Sequence, residues 1–586
     1  MNYYVNINAV QKGNGSREYP FKKIQEAALC AKPGDEIIVA PGIYRETVNP
    51  VNGGREDARI VYRSEVEKAA VITGAEPVES WELYEGDVWT ARIPNAIFGN
   101  ENPYTRAVCE EWFAAAMTVT AHTGDVYLNG KSMYEVADMK KLLHPERSRT
   151  SWEPEFSVYV WYTEQDKEKD ETVLYANFQG KNPNEENVEI SVRKNCFYPE
   201  KEGIGYITLS GFTVRQAATQ WASPTGYQEG MIDPHWSKGW VIDDCEIYES
   251  KCSGISMGKY LQAENHKQSK WKYKDEMPTE RECIFQTQLE GDDKECIGSH
   301  IIRKCDIHDC GQAGIVGHLG GSLSIIEDNR IHHISNKQNL WGTETSGIKL
   351  YAAIDVIICH NYFYNCTCGL WLGWQAQGNR VTRNLFFNNY WPKGHNPTRR
   401  VAMGEDIFVE VSHGPTLIDY NVLLSDCAMK FATHEVTVVH NLIAGAFKAA
   451  ERGASSSTLS KTASWYTSYH IPRQKESDGF MAMLHGDMRF YNNIFIQKKV
   501  PSAPHKVTDV KMDDKQREGN LIVGTIPYEG YPSFKEYIEQ FEEYCEMDFV
   551  SSGRYYNSFP VWAEGNVYFN GAKPMSKENA IVDDDH

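Results

Sequence analysis

What the chain lacks narrows the reading first. No two of its 14 cysteines stand at C-x-x-C spacing, so they read as reduced thiols used as small apolar residues. No stretch approaches about 18 uninterrupted apolar residues, so no membrane span is expected. Positive charge is short: Lys+Arg 60 against Asp+Glu 80 leaves −20, spread along the sequence rather than gathered in a tail. Nucleic acid, an anionic membrane surface and polyanionic sugar each want a basic face, so none is expected as the main partner, and neutral ligands remain. No P-loop, dinucleotide fingerprint or H-E-x-x-H occurs, and no cofactor is expected. The opening, Met1-Asn2-Tyr3-Tyr4-Val5-Asn6, has no basic segment followed by an apolar one. A signal peptide is therefore not expected, and the chain is expected in the cytoplasm.

What is present is a globular composition, 41% hydrophobic and 24% charged, and an aromatic share of 12% that serves cores and sugar-binding surfaces alike. At 586 residues the length alone suggests about four domains, a number one long repetitive core would undercut. Such a core is legible. From about residue 206 a pattern recurs: a β-rich pair, a small or Asn-like residue, then β-branched and aromatic residues. Examples are Ile301-Ile302-Arg303-Lys304-Cys305, Ile325-Ile326-Glu327-Asp328-Asn329, Val356-Ile357-Ile358-Cys359-His360-Asn361 and Val438-Val439-His440-Asn441. Units of about 20–24 residues holding short alternating strands are the signature of a parallel β-helix. Leucine-rich repeats share the period but not the Asn-aromatic chemistry. Asn suits the bend because it tolerates left-handed backbone angles and can form a side-chain ladder between coils.

The spacing predicts long insertions at about 259–297, at Pro392–Gly404 and at about 449–480, the kind of loops that carry a solenoid's binding site. A short amphipathic helix within 21–28 is expected to cap the first coil. Residues about 78–204 break the rhythm. Tyr127-Leu128-Asn129-Gly130-Lys131 is a hairpin signal, and Ser157–Tyr162 with Thr172–Tyr175 supplies strands, so a β-sandwich inserted into the solenoid is expected. The division read from the sequence is thus a β-helix start with its cap at 1–77, the sandwich at 78–204, and the remaining β-helix with its long loops at 205–586. Phe534–Tyr544 is expected as an amphipathic helix and Val561–Phe569 as a last strand.

Three stretches on neighbouring coils hold candidate chemistry: 341–350, 369–378 and 405–415. Glu410 lies in an alternating strand with Phe408, a setting for a general acid working near neutral pH. Alone it reads equally as a solvated outer-face glutamate. Glu344 could raise a partner's pKa by like-charge repulsion or be a surface carboxylate. His413 could donate to a substrate or be a turn histidine. Trp374 and Trp112 could be sugar platforms or buried rings.

Taken together, several blocks resemble glycoside hydrolase family 120. They are His122–Gly130, Gly347-Ile348-Lys349-Leu350 with Ile354-Asp355-Val356, Phe408–Pro415, Arg489–Phe495 and Asn566–Pro574, and their order spans most of the chain. The resemblance implies a right-handed parallel β-helix interrupted by a β-sandwich, and a retaining, exo-acting β-xylosidase acting on xylobiose and short β-xylosides. It implies Glu410 as general acid/base, Glu344 as the residue tuning that acid, and Trp112 in the substrate pocket. Trp374, Gln377, Asp406 and His413 are the further candidates for substrate contact, and a homo-oligomer is expected. The nucleophile is expected in Leu-Asp-Trp, but this chain reads Leu372-Gly373-Trp374. A glycine offers no nucleophile. An engineered Asp→Gly, a natural pseudo-enzyme or altered mechanism, and a substitute carboxylate with Asp406 nearest all remain open. So do a lyase on the same scaffold and a carbohydrate-binding protein without turnover.

Overall fold

The computed structural model describes residues 1–586 apart from 110–112, 117–120, 224–225, 261–275, 291–294, 343, 391–403, 450–465, 474–475, 501–520, 542–555 and 585–586. Short strands wind into two 13-stranded sheets and a third of seven strands. Neighbouring strands are parallel and stack in register from coil to coil, as in Ile301↔Ile325↔Ile357. The three-residue strands explain the repeat: in Ile301–Arg303, Ile325–Glu327 and Ile357–Cys359 the central Ile302, Ile326 and Ile358 point inward and are buried. Stacked at about 4.8 Å, these side chains form one continuous apolar core that no coil could bury alone. The fold is the parallel β-helix that the repeat predicts.

The Asn ladder is continuous. Asn361 donates its backbone N–H (2.9 Å) and its side-chain amide (3.0 Å) to Asn384 Oδ1, and Asn384 donates likewise to Asn421 Oδ1 at 2.9 and 3.0 Å. The pattern runs on through Asn441, Asn493 and Asn566, where Glu578 accepts the last amide at 2.7 Å. Cys245 and Cys305 hold the corresponding bends of earlier coils, buried, which fits a packing role. The backbone assignment needs a correction. The left-handed angle falls on the residue before the Asn: His360 (φ 57°), Arg383 (57°), Tyr420 (55°) and His440 (56°). The Asn must aim both its backbone N–H and its amide at the next coil, so the preceding residue takes the turn, at about 1 kcal/mol each.

The insertion leaves and re-enters at one edge. Ile60–Ser64 pairs with Ile207–Ser210, and Ala70–Thr73 with Thr213–Ala217, so the coils stack as though nothing intervened. Between them lie a four-stranded and a five-stranded sheet enclosing Val126, Leu128, Trp161, Leu174, Phe178 and Ile190. Val126–Leu128 pairs antiparallel with Lys131–Ser132 across Asn129-Gly130, both at positive φ, as a tight hairpin requires. Buried charges fasten this unit to the coils: Lys251 and Lys337 each approach Asp125 to 3.4 Å, and Lys337 also donates to the Met133 carbonyl at 2.7 Å.

Elsewhere the structure departs from the sequence reading. The cap helix Ile24–Ala28 is five residues long. Phe156–Val158 is a 3-10 turn, and the strand starts at Val160. The 259–297 insertion contains the helix Glu276–Leu289, whose Ile284 is buried against Trp236, Tyr260 and Leu319. Pro392–Ala402 and Met403 lie outside the described residues. The third insertion contributes the antiparallel hairpin Tyr466–His470 and Ser477–Ala482. The expected helix from Phe534 is described as Phe534–Glu539, capped by Ser533, with no buried residue. Val561–Glu564 and Val567–Phe569 are two strands in different sheets, and Val582–Asp584 follows them.

Candidate active site

The seven-stranded sheet carries Asp406 and Glu410, and Glu344 and Gly373 flank its strands. Its strands Ser346–Tyr351, Leu370–Leu372, Glu405–Glu410 and Cys427–Ala432 pair as Lys349↔Trp371↔Phe408↔Lys430 and Leu350↔Leu372↔Val409↔Phe431. Alternation sends Leu350, Leu372 and Val409 into the core and leaves Lys349, Trp371 and Phe408 on the outer face. Extended by one residue, the same register brings Tyr351, Gly373, Glu410 and Ala432 into a row, the last two paired directly. Gly373 N–H donates to Leu350 O at 2.7 Å, continuing the ladder past the strand end. Gly373 and Glu410 thus occupy adjacent rungs on one wall, about 4.8 Å apart along the backbone.

Glu410 is the accessible group, its side chain 25% exposed, and its Oε2 accepts the Trp371 indole N–H at 3.1 Å. Glu344 is buried just ahead of Ser346–Tyr351, two strands from that of Glu410. Between the two carboxylates stands the ammonium of Lys349, 3.4 Å from Glu344 and 4.0 Å from Glu410. It lies 3.7 Å from the centroid of the Trp371 ring and 4.3 Å from that of Tyr351. Burial pulls the Lys349 amine below the usual lysine value, and Glu344 and then Glu410 pull it part of the way back. A Cβ built on Gly373 would meet Lys349 Nζ at 2.5 Å and the Tyr351 ring at 2.9 Å. The place of a side chain at 373 is filled by a cation.

Three of the candidates for substrate contact are held by hydrogen bonds within the fold. Asp406 is fully buried; its oxygens accept from Asn389 Nδ2 (2.9 Å) and Ser425 N (3.1 Å) at a second bend ladder, and burial pushes its carboxyl up to about 7. Its carboxyl is thus engaged by the bend ladder. His413 is buried between His434 (2.6 Å) and the Thr467 carbonyl (3.1 Å), and burial pushes its imidazole down to about 4. Gln377 exchanges both amide atoms with the His470 backbone, at 2.6 and 2.8 Å. In each case the covering element is a neighbouring bend or the hairpin at 466–482. Trp374 packs with Tyr351, Val411 and Met483 behind the row. Trp112 lies outside the described residues, but the strand that follows it, Phe113–Ala116, pairs with Leu340–Gly342, so Phe113 faces Gly342 two residues before Glu344. The insertion thereby reaches the site. Lys349 and Trp371 were given no role from sequence; their placement beside Tyr351 and Gly373 at i, i+2 spacing was the available signal. Among the described residues, no cluster of three or more His, Cys, Asp or Glu side chains is arranged to hold a metal.

Two family models match: the glycoside hydrolase 120 insertion domain over residues 78–190, and the right handed beta helix region over 235–399. No curated protein matches. Among solved structures, that of XylC in complex with xylose is 42% identical, with a TM-score of 0.87, over 100% of this chain and 86% of its own. Another, a glycoside hydrolase, is 12% identical over 76% of this chain and 94% of its own, with a TM-score of 0.50, a likeness of fold alone. With the insertion domain matched and the XylC likeness spanning the whole sequence, the chain belongs to glycoside hydrolase family 120.

Proposed function

We propose that this protein has the site of an exo-acting, retaining β-xylosidase, acting on xylobiose and short β-xylosides, with its nucleophile position held by glycine. The reading is carried by the strand register: Leu372 pairs with Val409, which makes Gly373 and Glu410 the next residues on neighbouring rungs of one wall, about 4.8 Å apart. Retention needs two carboxyl groups about 5–5.5 Å apart, and the spacing of neighbouring rungs is compatible with an aspartate at 373 beside Glu410 in that role. In the first step a carboxylate at 373 attacks the anomeric carbon while Glu410 protonates the leaving oxygen. In the second, Glu410 takes a proton from water, which displaces the carboxylate and restores the β-configuration. Glu344, behind the lysine, tunes the charge around Glu410. XylC's complex with xylose supports xylose as the sugar of the glycone subsite.

As it stands the chain cannot complete this sequence, because glycine has no nucleophile. Gly373→Asp is expected to restore release of xylose from an aryl β-xyloside, with β-xylose the first anomer detected by NMR. No gain over the parent chain would remove position 373 from the mechanism, and α-xylose first would exclude retention.

A further inference from the structure

Alternation puts Lys349 on the outer face but does not explain why its charge is buried there. An ammonium is among the most expensive groups to bury, and this one is 2% exposed, on the faces of Trp371 and Tyr351, with carboxylates at 3.4 Å (Glu344) and 4.0 Å (Glu410). The charged and titratable groups around it are Glu344 ahead of its own strand, Tyr351 on that strand, Cys368 before the next, and Glu410 one strand further. Its nitrogen lies 2.5 Å from where the Cβ of a side chain at 373 would begin. Any residue larger than glycine must move it. An apolar side chain would displace a buried cation without compensation, whereas a carboxylate would gain it as a counter-ion.

We propose that Lys349 is a positioning residue for position 373: its ammonium holds a carboxylate there ionised and aimed at the sugar, and in the glycine chain it settles into the place that carboxylate would take, bridging Glu344 and Glu410. This rests on the reading of 373 as the nucleophile position. A cation beside a carboxylate favours the ionised form and so extends nucleophilic activity to lower pH. Removing the cation narrows that range from the acid side and leaves sugar contacts untouched.

Two measurements test it. The first is a double-mutant cycle on urea unfolding at pH 7, using Gly373→Asp, Lys349→Met and the pair, which requires no turnover. Gly373→Asp is expected to lower the unfolding midpoint more in the Lys349→Met background than in the parent, and that difference is expected to vanish in acid, where the new carboxyl is protonated. Additive effects at pH 7 would overturn the proposal. The second compares kcat/KM against pH for Gly373→Asp with and without Lys349→Met. The acid limb is expected to move up by about one pH unit or more, the scale on which a neighbouring cation shifts a carboxylate, with KM little changed and Lys349→Arg returning the limb toward its start. A uniform loss at every pH would mark Lys349 as merely structural. If Gly373→Asp turns over no aryl β-xyloside, the functional reading falls, and the unfolding cycle still decides whether Lys349 pairs with position 373.

Discussion

Asn384→Ala offers the sharpest check on what holds the wall that carries the candidate site. Asn384 sits one bend beyond the strand that leads into Gly373, buried in the ladder. Its Oδ1 accepts from the backbone N–H and the side-chain amide of Asn361, and its Nδ2 donates to Ile358 O at 2.9 Å and Asn421 Oδ1 at 3.0 Å. Alanine deletes all four bonds and keeps the fifth, its own N–H to Asn421. The Asn361 N–H is then left buried without its acceptor. Net hydrogen bonds are worth ~1 kcal/mol each and an orphaned buried donor costs ~1–3 kcal/mol, so a loss of ~3–5 kcal/mol is expected, partial relaxation included. Asn384→Asp should be worse at pH 7, since its carboxylate would face the Ile358 carbonyl and Asn421 Oδ1, and should recover in acid. Urea unfolding, with the slope checked for constancy, reads both. A loss below ~1 kcal/mol for alanine would show that the ladder follows the sheet stacking rather than supporting it.

Other expectations concern the site. In the Gly373→Asp background, Glu410→Gln should suppress hydrolysis of xylosides with poor leaving groups by about 10²–10⁴-fold while sparing activated aryl xylosides; equal losses on both would refute the acid role. In the parent chain, azide or formate should raise turnover of an activated aryl β-xyloside and, for azide, give the α-xylosyl product, since the small anion attacks from the side of position 373; product of β-configuration would contradict that placement. The buried Asp406 carboxyl is pushed up to about 7 from 3.8. The folded state therefore holds its proton more tightly than the unfolded chain, and the resulting stability is present at low pH and lost as pH rises through about 7. Asp406→Asn should flatten the change in urea midpoint between pH 5 and 8, and an unchanged slope would place the titration elsewhere.

Much of this fold could be read from the chain because a solenoid writes its rule at every coil. Ile302, Ile326 and Ile358 repeat at the inward position, and Asn329, Asn361 and Asn384 repeat at the bend, so both the sheet stacking and the ladder were foreseeable. The left-handed residue was misplaced because its position accepts His360, Arg383 and Tyr420 alike, which leaves no compositional trace. The helix Glu276–Leu289 was missed because its apolar residues do not gather on one face. Alternation identified Glu410 as outward-facing, yet could not say which outward groups are covered from outside. Gln377 and His413 are covered by the hairpin at 466–482, a contact nearly a hundred residues distant in the first case. Lys349 stood inside a recognised block, but its place over Gly373 depends on strand register and on the missing side chain together, neither visible in either strand alone.

The most direct test of the account is to treat Gly373→Asp with a 2-deoxy-2-fluoro-β-xyloside bearing an activated leaving group and map the modified peptide by mass spectrometry. One fluoroxylosyl unit on the carboxylate introduced at 373, absent from the parent chain, is the predicted result. Hydrolysis with the label on any other residue would contradict it.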